Sequence, residues 1–120
     1  MKNKHAIAEN FGRLGETIAI WFLRAQLFSI SAKRFKTPFG EIDVIAKRGD
    51  LVVFVEVKIR RKKAALGDAL GAVNQRRIIK AAHYYLAANP ELFHKFLRFD
   101  VILLAPWTLP THLRGAFEAT

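Results

Sequence analysis

Two runs rich in β-branched residues, Glu41 to Lys47 (EIDVIAK) and Leu51 to Lys58 (LVVFVEVK), both carry acids, and only Arg48, Gly49 and Asp50 separate them. That spacing is a hairpin signal. A tight turn centred on Gly49 and Asp50 sets Arg48 against Leu51. Counting back then places Asp43 opposite Glu56 and Glu41 opposite Lys58, whereas an odd-length loop would break this register. Directly opposed carboxylates destabilise a strand pair; at about 5 Å and an effective dielectric near 20 they repel by roughly 3 kcal/mol. A divalent cation reverses the sign. Oxygen donors select hard metals, and carboxylates joined by a backbone carbonyl, water and a substrate phosphate are a usual way to hold magnesium. The expected donors here are Asp43, Glu56 and the carbonyl of Val57. Lys58, on the face of Glu56, adds a cation able to position an attacking water or to neutralise charge building on a phosphate.

A Glu-x-Lys pair on a strand is ordinarily a surface ion pair of little energetic weight. The neighbours argue otherwise. Val53, Val55 and Val57 alternate with Phe54, Glu56 and Lys58, the pattern of a strand buried on both faces. Charges in such a strand are seldom kept without a partner.

Other elements must position these groups. Residues from about Ala6 to Gln26 have helical periodicity: Phe11, Leu14, Ile18, Phe22 and Ala25 form one stripe, and Gly12, Glu16, Ala19, Ile20 and Leu23 a second. Glu16 thus lies in an apolar row and is expected to point inward, with Trp21 and Phe22 in the core. Phe28 to Phe35 reads as a strand, followed by a loop with Thr37, Pro38 and Gly40. Gly67 to Ala88 reads as a second helix, stopped by Asn89 and Pro90. Its inward row is Gln75, Ile78, Ile79, Ala82 and Leu86, while Arg76, Arg77, Lys80 and His83 cover other directions. Arg98 to Ala105 reads as a strand, and a short tail from about 106 holds a last strand or turn near His112 to Phe117. A single domain over 1–120 is expected, with Asp100 structural, Trp107 packed at an edge, and the histidines at the surface or in packing.

The chain has 120 residues, 20 Lys plus Arg against 10 Asp plus Glu, and a net charge of +10. With 52% hydrophobic residues it can bury a core, which a disordered basic tail could not. It has no cysteine, which excludes disulfide frameworks and thiolate zinc sites. No apolar run approaches the roughly 20 residues of a membrane span. The expectation is a cytoplasmic protein with no membrane partner, whose surplus charge meets a polyanion, nucleic acid first. Arg60, Arg61, Lys62 and Lys63, leaving the strand of Glu56 and Lys58, are expected to grip phosphates together with Arg76 and Lys80.

Asp43 followed by Glu56-Val57-Lys58, after a helix with Glu16, resembles the PD-(D/E)XK motif of restriction-endonuclease-like nucleases. Along nearly the whole chain, GRLGETIA (12–19), FGEIDVIAKRGD (39–50), VFVEVKIR (53–60), the helix around Gln75, RFDV (98–101) and HLRGAF (112–117) are similar to the YraN-like family of small bacterial proteins. The resemblance implies an α/β fold of three α/β/α layers around a mixed sheet. It also implies Asp43 and Glu56 as metal ligands, Lys58 as the catalytic lysine, Glu16 as a helix-borne acid added to the metal site, and Gln75 as a polar residue near it. Ile42 stands where the motif's name has proline, and Ile59 where this family is expected to have threonine; neither change removes a ligand.

These readings converge on a nuclease dependent on Mg2+ or Mn2+, acting on branched or distorted DNA. The rivals are an RNA-processing endonuclease and a non-catalytic module of the same fold that binds DNA or a repair partner. One site cuts one strand, so resolving a junction would require a homodimer.

Overall fold

The structure, a computed structural model, describes residues 4–61, 71 and 73–118. Among them the order is α1 (Lys4–Ala25), β1 (Ser29–Thr37), β2 (Gly40–Arg48), β3 (Leu51–Ile59), α2 (Gln75–Ala88), a 3₁₀ turn (Pro90–Leu92), β4 (Phe96–Leu104) and β5 (Thr111–Phe117). The strands form one sheet in sequence order; β3 and β4 are parallel and the other neighbours antiparallel. Parallel neighbours need a crossover, and α2 lies in the β3–β4 connection. Register shifts interrupt both outer pairings, between Ile30 and Ala32 on β1 and between Phe99 and Val101 on β4 against β5.

Alternation along the strands divides the core in two. Ala19, Ile20 and Leu23 of α1 pack on Val44, Ala46, Val53, Val55 and Ile102 on one face. On the other, Ile78, Ala82, Tyr85 and Leu86 of α2 pack on Ile45, Val52, Phe54 and Val101. This is the expected α/β/α arrangement with a mixed sheet, consistent with a restriction-endonuclease-like domain. Gly15 lets α1 lie close: a Cβ there would collide with the Ile59 side chain of β3. The helix ends in paired 6→1 and 5→2 bonds, Phe28 N–H to Leu23 O and Leu27 N–H to Arg24 O, with Leu27 left-handed at φ +71.

Three expectations need correction. Trp21 is 65% exposed, because the stripe of Ala19, Ile20 and Leu23 faces the sheet and Trp21 falls on another side of α1. Trp107 is fully exposed at the β4–β5 connection, where left-handed backbone (φ +63) carries it off the sheet. The second helix does not run unbroken from Gly67: residues 67–70 lie outside the described residues, Gly71 is helical, and Val73 and Asn74 are not. α2 starts afresh because Asn74 caps it, its side chain accepting the Arg77 N–H at 3.1 Å, while Val73 and Ile78 flank the cap in one apolar cluster. The last strand expected near His112 to Phe117 is β5.

Asp100 ties the β4–β5 edge together. Fully buried, it accepts two 2.8 Å bonds from Arg98, one of 2.8 Å from His112 Nε2 and one of 3.0 Å from the Gly115 N–H. Gln26 donates to His112 Nδ1 and accepts from Arg114, joining the exit of α1 to β5. Burial pushes the Asp100 pKa up, but the bonds from His112, Arg98 and Gly115 outweigh it and hold the carboxyl at about 2. Its stabilisation is therefore complete above the ordinary value of 3.8 and lost as pH falls toward 2. Asp100→Ala, which leaves buried donors unpaired, should cost about 3 kcal/mol of unfolding free energy in urea titrations, and the acid limb of the wild-type stability curve between pH 4 and 2 should flatten in the variant.

Candidate functional site

The hairpin holds the register expected of a tight turn at Gly49 and Asp50, from Arg48↔Leu51 to Val44↔Val55. There the ladder stops. Ile42 packs in the α2-side core and Val44 in the α1-side core, so β2 turns over at Asp43. Asp43 reaches across the opening, its Oδ2 accepting the Val57 N–H at 2.8 Å. Asp43 and Glu56 thus stand at one level without ladder bonds between them. Glu41 is not paired across to Lys58; its strand partner is Lys36 of β1.

Carboxylate oxygens of Glu16, Glu41 and Asp43 lie within 4.8 Å of one another. α1 supplies the first and β2 the other two. Glu16 Oε2 accepts a 2.6 Å bond from Arg34 Nε of β1, whose left-handed backbone (φ +51) costs a non-glycine residue roughly 1–3 kcal/mol. On β3, Lys58 Nζ stands 3.6 Å from Glu56 Oε1. The Glu56 side chain is 8% exposed, and its Oε2 is buried with no hydrogen-bond partner among the described residues. An orphaned oxygen of this kind carries a desolvation cost of several kcal/mol if ionised.

The cost appears as proton affinity. Burial pushes Asp43 up to about 6, with the charges of Glu16 and Glu41 adding to it and the Val57 N–H opposing. Burial pushes Glu56 up to about 7, with Asp43 adding and Lys58 and Arg77 opposing. A hard divalent cation fits this donor set: every side-chain donor is a carboxylate oxygen, the acids are held together against their repulsion, and the Glu56 oxygen lacks a partner among the described residues.

The structure brings Glu16, Glu41 and Asp43 together, sets Lys58 beside Glu56 and puts Glu56 within reach of the Asp43 charge; Val57, expected to offer its carbonyl, bonds Asp43 through its N–H. Gln75 is exposed; it occupies the first position of α2, before the helix meets the sheet, so it does not belong to an inward row. Arg60 is half-buried, its N–H donating to Leu104 O and its guanidinium to Ile59 O, while Arg61 is exposed. Lys62 and Lys63 lie outside the described residues. Arg76 and Lys80 are exposed on the first turns of α2.

Sequence reasoning missed Arg34 and Arg77 and did not count Glu41 among the ligands. Glu41 shares a face with Asp43 at i and i+2, a signal that was available. Arg77 is placed by the Asn74 cap and by Gly40: at φ +137, a Cβ on Gly40 would lie 2.5 Å from Arg77 Cδ. Only glycine leaves room there for the arginine stem.

The family model described as "Uncharacterised protein family UPF0102" matches residues 15–104. A UPF0102 protein of Rhodopseudomonas palustris (strain BisB5) is 49% identical, covering 91% of this chain and 83% of its own. Those of Bradyrhizobium sp. (strain BTAi1) and Nitrobacter winogradskyi are 51% and 48% identical over 91% of this chain, covering 80% and 92% of their own lengths.

Because the folded pKa values of Asp43 and Glu56 stand above the ordinary 3.8 and 4.5, these groups favour the fold most at low pH, and that contribution is lost as pH rises through 6 to 7. The melting temperature in chelator should therefore fall more steeply between pH 5 and 8 in the wild type than in Glu56→Gln. Mg2+ or Ca2+ should raise it, more at pH 8 than at pH 5, and not in Asp43→Ala. An equal cation effect at both pH values, or an undiminished one in Asp43→Ala, would count against the site.

Proposed function

The chain belongs to the UPF0102 family, described only as uncharacterised, and from its site we propose that it is a nuclease dependent on Mg2+ or Mn2+ that hydrolyses phosphodiester bonds of branched or distorted DNA. One observation carries the reading: the buried Oε2 of Glu56, without a partner among the described residues, beside Asp43 in a chain of net charge +10. A protein that only gripped phosphates would gain nothing from acids placed where phosphates come.

Asp43 and Glu56 would hold the cation with the Val57 carbonyl, and Glu16 and Glu41, whose carboxylate oxygens lie within 4.8 Å of Asp43, would add ligands or charge to it. When bound, the cation supplies charge stabilisation at a phosphate oxygen and acidifies a water. Lys58, kept beside the site by Glu56, holds the attacking water or donates to the phosphate oxygen on which charge builds. Arg34 and Arg77 limit repulsion among the acids, so the ligands keep their places before substrate arrives. Arg60, Arg61, Arg76 and Lys80 give the DNA backbone its contacts. No helix among the described residues is long and apolar enough to cross a membrane.

The test is a cleavage panel of linear, single-stranded, flapped and four-way-junction DNA plus structured RNA, with Mg2+ or Mn2+. The wild type should cut at least one branched DNA, and Glu56→Ala and Lys58→Ala should each lose about 100-fold or more. Cleavage of none of the panel, or variants that cut as well as wild type, would overturn the proposal. Salt-sensitive binding without cutting would leave a binding module, and cleavage confined to RNA an RNA-processing enzyme.

A further inference from the structure

Between the β1–β2 turn and the first turns of α2 lies a hollow of about 230 Å³ lined by Phe39, Asn74, Arg76, Arg77 and Lys80. Three of the five are cations and none is acidic, so an anion is the complementary occupant. The single aromatic is presented rather than buried. Phe39 is 47% exposed, yet its turn is fixed: Thr37 Oγ1 accepts the Phe39 N–H at 3.1 Å and donates to Gly40 O at 2.7 Å. Tyr84, itself 44% exposed, meets the ring edge-on at 6.4 Å between centroids, and Lys80 Nζ stands 5.9 Å from its centroid. A pinned, half-exposed ring among cations matches how proteins hold single strands, by backbone charge and base stacking.

Its place beside the acids gives the hollow its meaning. Gly40 and Glu41 follow Phe39, and the Arg77 stem lies against Gly40 while its charge acts on Glu56. A strand seated here would lie next to the segment of β2 that carries Glu41 and Asp43. In a duplex each base face is covered by its neighbours; only an unpaired base offers a free face to Phe39. We propose that this hollow seats an unpaired nucleotide of a DNA strand, Phe39 stacking on its base and Arg76, Arg77 and Lys80 holding its phosphates. That the seat lies next to the scissile bond rests on the nuclease reading; the stacking itself does not.

The experiment uses the full chain in chelator, so that nothing is cleaved, and two duplexes alike except that one carries an unpaired 2-aminopurine and the other has it paired. The wild type should bind the unpaired probe about tenfold more tightly, a step within the range of one base–aromatic stack, and quench its fluorescence. Phe39→Ala should lose preference and quenching while keeping its affinity for the paired probe, and Phe39→Trp should retain both. The double variant Arg76→Ala, Lys80→Ala should weaken both probes alike and reduce the salt slope. Equal wild-type affinity for the two probes, or preference and quenching unchanged in a folded Phe39→Ala, would overturn the seat. Cleavage is scored separately: stacking lost in Phe39→Ala while the wild type cuts nothing supports the seat and sinks the nuclease, and cutting without stacking does the reverse.

Discussion

The structure turns on a side-chain carboxylate taking a place that a ladder bond would otherwise fill. Buried backbone N–H groups require a partner, and past Val55 that of Val57 finds Asp43 instead of a β2 carbonyl. The two strands can then separate without leaving the amide unsatisfied. Everything around the site conforms to this opening. α1 approaches through Gly15 and delivers Glu16; α2 begins at its Asn74 cap and delivers Arg77 over Gly40.

Two buried acids on adjacent strands show how the protein separates structure from chemistry. Asp100 is fully buried and held near 2 by donors on every side, whereas Glu56, also buried, is pushed to about 7 with one oxygen unanswered among the described residues. Burial works in the same direction on both. The difference is the number of donors: Asp100 is answered on every side within the fold, and Glu56 keeps its affinity for a proton. Arg34, Lys58 and Arg77, from three separate elements, limit the repulsion but do not complete the shell of Glu56.

The hairpin, its register and the burial of Glu56 were legible because a two-residue turn fixes pairing and alternation fixes faces. The opening at Asp43 was not, since a strict count carries the ladder past Val44 and nothing local in EIDV marks where it stops. The exposed Gln75 follows from a cap that periodicity alone does not weigh: Asn74 starts a new helix inside what reads as one long apolar pattern. Trp21 was misplaced because α1 is apolar on several sides, and only contact with the sheet selects the stripe that is buried. Arg34 and Arg77 escaped notice because they act on the acids from other elements, and their meeting is a property of the tertiary fold.

Both margins of the sheet share a trait that bears on how copies of this chain can meet. A bare strand edge is a template for a further strand, and charges and irregular register spoil it. β1 carries exposed Lys33 and Lys36 beside its register shift; the β5 side has its own shift, exposed Arg114 and a left-handed Gly115. Two molecules aligned β1 to β1 would bring lysines to lysines and mismatched amides to mismatched amides. The cations placed on both edges therefore also oppose continuous sheet growth from one molecule to the next.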